Sequence, residues 1–360
     1  MHLTHLYQKK LLPLHHKQRL ENMNEISTVF AQSPSNIAIV KYWGKHGNQL
    51  PNNPSISFTL SRCHTDTSIK FTKNNSDNYT MRFLFEGKES PKFQEKIEKY
   101  LIENQQYFGF LKGLDLEVES SNSFPHSSGI ASSAASMSAL VLCLLQIEKI
   151  VNKDVTPLDM RKASLLSRLA SGSAARSVYP VMALWGTTPS ITDSSDDYAV
   201  PLADMVNPVF KTYHDSILIV SNKEKSVSSR VGHSLMNGHP LAEKRYQTAR
   251  ENTEKLLKVL KNGDLATFIE IAEAEALQLH EMMATSTPPY KLVEPNTLNI
   301  IEAVRNFRQE SKIPACFTLD AGPNVHLLYP DNYDAQVKSF IKDNLLQYCH
   351  DNQCIDDIVK

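Results

Sequence analysis

The chain has 360 residues, 41% of them hydrophobic, and a formal charge of −1. That balance excludes a global electrostatic pull toward nucleic acid or an anionic membrane, so any anion binding has to be local. The five cysteines, Cys63, Cys143, Cys316, Cys349 and Cys354, show no CxxC and no metal-like spacing with histidine, which fits a reducing cytoplasm.

Residues 1–22 are basic and rich in histidine, with no acid before Glu21. They read as a disordered or mis-started extension ahead of Met23, and His15 and His16 are not taken as metal ligands. Strand-like segments follow at Thr28 to Ala31 and Ile37 to Tyr42, then a turn-rich loop from Gly44 to Pro54, then strands at Ile56 to Leu60 and Thr67 to Thr72. Phe93, Ile97, Tyr100 and Leu101 mark a helix over Pro91 to Gln106, and Leu114 to Glu119 alternates as a strand. The apolar segment from Ala131 to Val151 predicts a buried helix, although its longest apolar run, Ala139 to Ile147, falls short of the ~20 residues a membrane span requires. Pro157 after Thr156 predicts the start of another helix running through Leu169. A short helix near Ser171 to Tyr179 and a strand at Val181 to Trp185 complete the first half.

The second half predicts a strand at Ser216 to Val220 and helices over Leu241 to Lys261, Leu265 to Met283 and Thr297 to Gln309. Strands at Ala315 to Asp320 and Val325 to Tyr329 flank the turn AGPN, and a last helix lies near Tyr333 to Leu346. Strands and helices come in runs without strict alternation, which argues an α+β fold. A domain boundary falls between Val181 and Tyr213, giving units at 23–200 and 201–360.

Four constellations suggest chemistry. The stretch SFPHSSGIASSAA from Ser123 to Ala135 is a small-residue turn leading into a helix, where backbone amides and the positive end of the dipole favour a phosphate; no Gly-Lys-Ser/Thr closes it as a Walker loop would. Capping alone would also explain its serines. Lys41, Tyr42, Trp43, Gly44 and Lys45 put two ammonium groups and a phenol at one strand end, suited to an acidic small molecule. Ser173 and Arg176 stand at i, i+3, with Ser171 placed to cap their helix. In CFTLDAGPN the strand period turns Phe317 and Leu319 one way and Thr318 and Asp320 the other, so Asp320 could deprotonate a substrate hydroxyl or cap the turn; periodicity leaves both readings open. Arg230, in VSSR, taken alone reads as a solvated loop residue, and His126, His233 and His326 receive no role.

In this order the motifs resemble the diphosphomevalonate decarboxylases of the GHMP kinase superfamily. The matching pieces are SNIAIVKYWGK with PNNPSISFTL after it, SFPHSSGIASSAA, SGSAARS, VSSR and TLDAGPN. The resemblance implies a two-lobed GHMP kinase-like fold with a ribosomal-protein-like N-terminal lobe carrying the ATP loop and a ferredoxin-like C-terminal lobe. It implies ATP-dependent decarboxylation of mevalonate 5-diphosphate to isopentenyl diphosphate through phosphorylation of the 3-hydroxyl.

By the same resemblance, Ser127, Ser128, Gly129, Ala131, Ser132 and Ser133 hold the ATP phosphates, with Ser132 the side chain toward Mg²⁺. The stretch Tyr42, Trp43, Gly44 and Lys45, with Arg230, holds the substrate diphosphate. Ser171, Gly172, Ser173 and Arg176 take the end bearing the carboxylate, and Asp320 faces the 3-hydroxyl with Lys41 as its charge partner. His126 with Ser127 and Ser128, Ala175, Pro180 with Val181, and His233 depart from the family's usual residues. A superfamily kinase that stops at phosphorylation, or a silent ligand-binding relative, would share the fold; the retained acid, lysines and arginines favour the decarboxylase. A small-molecule substrate, a cytoplasmic location and a homodimer complete the expectations, with neither nucleic acid nor membrane as partner.

Overall fold

In a computed structural model, the structure describes residues 26–124, 132–223 and 225–360. The expected N-terminal extension lies outside the described residues. So does most of the serine-rich loop, including Ser127, Ser128, Gly129 and Ala131.

The first sheet is organised by two long strands, β1 (Ser27–Val40) and β4 (Ser55–Lys73), which pair antiparallel along almost their full length. Each was expected as two short strands. Pro34 lacks the N–H that a regular ladder needs, and the pairing accommodates it with a register shift between Pro34 and Asn36. In β4 the polar Ser61 and Arg62 stay in the strand because the Asp357 carboxylate, from the far end of the chain, accepts the N–H groups of Ser61, Arg62 and Cys63 at 2.8, 2.8 and 2.6 Å.

The hairpin strands β2 (Lys45–His46) and β3 (Leu50–Pro51) lie between these two long strands in the chain. Next come β5 (Thr80–Phe85), β6 (Lys88–Glu89) and β7 (Leu114–Asn122), with β5 parallel to β7. Strand β7 pairs with the second half of β4, while β8 (Met182–Trp185) pairs with its first half and β9 (Ala199–Pro201) closes that edge. The helix Ser132–Val151 packs on β1 and β4. By length and composition it could cross a membrane, yet its apolar side chains, among them Leu140, Leu144 and Ile147, are absorbed by the core. The helix Met160–Ala170 starts later than Pro157 suggested, because Asp159 supplies the cap by accepting from the N–H groups of Arg161 and Lys162.

The second sheet has four antiparallel strands in the order β11 (Cys316–Thr318), β12 (Val325–Tyr329), β10 (His214–Leu218) and β13 (Cys354–Ile358). Sequence reading had missed β13. One face, with Phe317, Leu319, Val325 and Leu327, packs on the helix Pro295–Ser311 and the C-terminal turns. The other, with Ile217, Cys316 and Leu328, joins a core shared with the first sheet. Phe58 of β4, Phe210, Tyr213 and Phe268 form one aromatic cluster there, with ring centroids 5.0–6.5 Å apart. The architecture is α+β, as expected.

The helices Ala242–Asn262 and Leu265–Ala284 lie side by side, and the second touches both β1 and β11. The ends of those two strands define the candidate site.

Candidate active site

Strand β1 ends at Val40, and Lys41 follows with its side chain 1% exposed. Burial pushes its ammonium below the ordinary lysine range, against the opposing pull of Asp320. Its Nζ donates to the Ala38 carbonyl at 2.5 Å and to Asp320 Oδ1 at 3.0 Å. Asp320 lies just past β11, and its side chain keeps 26% exposure. Burial raises the Asp320 carboxyl, but Lys41, His326 and Lys225 outweigh it and leave the group below the usual carboxylate value. An ionised acid therefore sits at the lip of a site rimmed by cations.

Arg176 is 2% exposed and lies in the short helix Ala174–Ser177. Its guanidinium donates to Ser57 Oγ at 3.0 Å, to Ser55 Oγ at 2.5 Å and to Asn36 Oδ1 at 3.2 Å, and lies 5.9 Å from the Trp185 ring. It is thus built into the floor between β1, β4 and β8. Burial lowers its pKa to about 10, which leaves it charged at neutral pH. A guanidinium has five N–H groups, and these bonds leave donor capacity on both terminal nitrogens.

Ser171 does not cap this helix. Ser173 is the N-cap residue, without a side-chain cap bond, and the Ser171 hydroxyl instead donates to Ser133 Oγ at 3.3 Å. That contact brings SGSAARS against the start of the helix Ser132–Val151. Ser173 contributes its carbonyl to Asn36 Nδ2 at 3.2 Å. At Gly172 a Cβ would come within 2.7 Å of the Tyr42 hydroxyl, so the close approach of this turn to Tyr42 requires glycine.

The Tyr42 ring packs on Trp185 and His233, with centroids 4.7 and 4.4 Å away, and its buried hydroxyl has no hydrogen-bond partner among the described residues. A buried orphan hydroxyl is costly unless a ligand completes it. Trp43 is 4% exposed and packs among Met236, Met283 and Leu292, so its indole supports the site from behind. Gly44 has φ +92°, and a side chain there would strike Tyr246. Lys45 donates to Gln49 at 2.6 Å; burial and the nearby Arg230 charge both lower its pKa. Arg230, expected in a loop, is exposed on the helix Ser229–Ser234, whose first turn is capped by Ser228.

Sequence reasoning missed several residues. His233 packs with tilted rings against both Tyr42 and Trp43 and accepts the Gly44 N–H on Nδ1 at 3.0 Å. Burial lowers its pKa to about 3, so the ring is neutral and locks the KYWG turn. His326 donates from Nδ1 to Asp215 at 2.7 Å deep beneath the site. Glu275, Arg245 and His280 touch the main chain of Lys41 or Asp320. No local spacing signals them, since each acts on a partner remote in the chain.

A cavity of about 80 Å³ opens beside the N-terminus of the helix Ser132–Val151, lined by Phe83, Phe85, Phe93, Lys96, Ser132 and Ser133 among others. Lys96 and the hydroxyls at this helix start are groups that favour a phosphate. Among the described residues no group of three His, Cys, Asp or Glu side chains could hold a metal ion.

Two family models cover the chain: the diphosphomevalonate decarboxylase-like N-terminal domain matches residues 33–198, and the mevalonate 5-diphosphate decarboxylase C-terminal domain matches 216–359. The crystal structure of mevalonate diphosphate decarboxylase from Staphylococcus aureus is 30% identical, covers 93% of this chain and 96% of its own, and superposes with a TM-score of 0.80. This chain belongs to the diphosphomevalonate decarboxylase family. Diphosphomevalonate decarboxylase of Candida albicans is 28% identical over 323 residues, 86% of each chain. A structure of MDDEF in complex with MVAPP, AMPPCP and magnesium is 26% identical with a TM-score of 0.77, covering 93% of this chain and 97% of its own.

Proposed function

We propose that the cleft between β1, β11 and the helix Ser132–Val151 performs ATP- and Mg²⁺-dependent decarboxylation of mevalonate 5-diphosphate, giving isopentenyl diphosphate, carbon dioxide, ADP and phosphate. The observation that carries this is the Lys41–Asp320 pair, which joins an ionised acid of one sheet to a buried cation of the other at 3.0 Å. Asp320 is assigned the proton of the 3-hydroxyl, accepting it as that oxygen attacks the terminal phosphoryl group, and Lys41 is assigned the charges around it. Phosphate then departs from the tertiary carbon, and the electrons of the breaking C–C bond fill the developing cation as carbon dioxide leaves.

Arg176, held by Ser55, Ser57 and Asn36, is assigned the substrate carboxylate, together with Ser171 and Ser173. Tyr42, Lys45 and Arg230 are assigned the diphosphate; the orphan Tyr42 hydroxyl and the burial of Lys45 near the Arg230 charge, which lowers the Lys45 pKa, support that assignment. Ser132 and Ser133, with the loop before them, are assigned the ATP phosphates. Mg²⁺ bound with ATP would neutralise phosphate charge, with the Ser132 hydroxyl as its protein contact. The lobes are taken as 23–200 and 201–360, the location as cytoplasmic and the assembly as a homodimer.

Incubation of the purified chain with ATP, Mg²⁺ and mevalonate 5-diphosphate should release carbon dioxide and ADP in equal amounts. ADP without carbon dioxide would replace the reading with a kinase, and neither product would leave a binding protein.

A further inference from the structure

Lys41 and Asp320 belong to different sheets, and a lysine side chain is too flexible for its own ion pair to fix their spacing. The helix Leu265–Ala284 packs on β1 and β11, the two strands that lead into these residues. From it, the fully buried Glu275 accepts the Lys41 N–H on Oε2 at 2.9 Å. Arg245, of the neighbouring helix Ala242–Asn262, pairs with both Glu275 oxygens at 2.9 and 2.5 Å and donates to the Lys41 carbonyl at 3.2 Å. His280 donates from Nε2 to the Asp320 carbonyl at 3.1 Å; since a carbonyl only accepts, the proton sits on Nε2. One helix thus reaches the main chain of both reacting partners.

A fully buried ion pair is weak evidence of stabilisation, because apolar side chains of similar volume often serve stability as well. Apolar side chains could not grip an N–H and a carbonyl on the same residue. Asn252 and Gln278 complete the network, binding Glu275 Oε1 at 2.7 Å and Arg245 Nη1 at 2.8 Å respectively. We propose that Glu275, Arg245 and His280 are positioning residues that set, from this helix, the separation of Lys41 and Asp320 in the phosphorylation step. The proposal rests on the reading of Asp320 and Lys41 given above.

The test compares Glu275→Ala, Glu275→Gln, His280→Leu and His280→Gln by steady-state kinetics with ATP, Mg²⁺ and mevalonate 5-diphosphate, with Asp320→Asn as control. Misplacement of a reacting group by about 1 Å costs on the order of 10²-fold. Glu275→Ala and His280→Leu should therefore lose roughly 10- to 100-fold in kcat. KM for mevalonate 5-diphosphate should stay near the wild-type value, because the diphosphate and carboxylate contacts lie elsewhere. The glutamine variants, which keep an acceptor for Lys41 and a donor for Asp320, should recover most of the loss. If Glu275→Ala does not fold, the half-buried His280 pair decides alone. Wild-type kcat in His280→Leu, a parallel rise in KM, or no rescue by glutamine would overturn the positioning role. Retained turnover in Asp320→Asn would instead remove the reading beneath it.

Discussion

Lys41 and Asp320 shift each other's titration, and the signs give a measurable pH profile. Lys41 must be protonated to act as a charge partner, and burial lowers its pKa from the ordinary 10.5. Its contribution is therefore lost as pH rises through a value below 10.5. Asp320 must be ionised to accept a proton; although burial raises its pKa, the surrounding cations prevail and bring it below 3.8, so its contribution is lost as pH falls through that lower value. The expected kcat profile has an alkaline limb below 10.5 and no acid limb above 3.8 arising from this carboxylate. An alkaline limb at or above 10.5 would show that Lys41 keeps an unperturbed charge or takes no part. Lys41 and Asp320 were legible as candidates, a lysine ending an apolar strand and an acid opening a Gly-Pro turn, but periodicity left Asp320 open and only the family resemblance proposed their roles. The burial of Arg176 was not legible: only the fold shows Ser55, Ser57 and Asn36 closing around it. His233, read as having no role, holds the KYWG turn through ring contacts and one Nδ1 bond that no periodicity encodes.

At the scale of elements, hydrophobic pattern located most helices and strands but not their continuity. Polar interruptions at Ser33–Asn36 and Ser61–Arg62 looked like loops because their partners are distant: Ser177 receives Asn36, and Asp357 receives the Ser61 to Cys63 amides. Strand β13 escaped notice because its CIDDI sequence has the charged pair of a surface turn, yet Asp357 is 1% exposed and tied to β4. Removing that carboxylate leaves three amides without their acceptor, each worth about 1–3 kcal/mol where water cannot replace it. Asp357→Ala should therefore lower unfolding free energy by about 3 kcal/mol while leaving kcat nearly unchanged at temperatures where the variant is folded. Denaturant unfolding measures the first and carbon dioxide release the second. A change below about 0.5 kcal/mol would mean that β4 stays continuous without Asp357.

For the whole molecule, the two sheets share a core at Phe58, Phe210, Tyr213 and Phe268, which fixes the ends of β1 and β11 as neighbours. Family resemblance anticipated this two-lobed arrangement; composition and periodicity alone reached only α+β, because the contacts between lobes join residues far apart in the chain. The proposed catalysis depends on a few side chains from both lobes, and we propose that the positive groups Lys41, Lys45, Arg176, Lys225 and Arg230 serve a substrate carrying a diphosphate and a carboxylate. The most direct test is Asp320→Asn, which keeps the shape and one acceptor oxygen but removes the base. The account predicts mevalonate 5-diphosphate affinity close to wild type by calorimetry and turnover reduced by about 10²-fold or more. Turnover near wild type with the same affinity would contradict it.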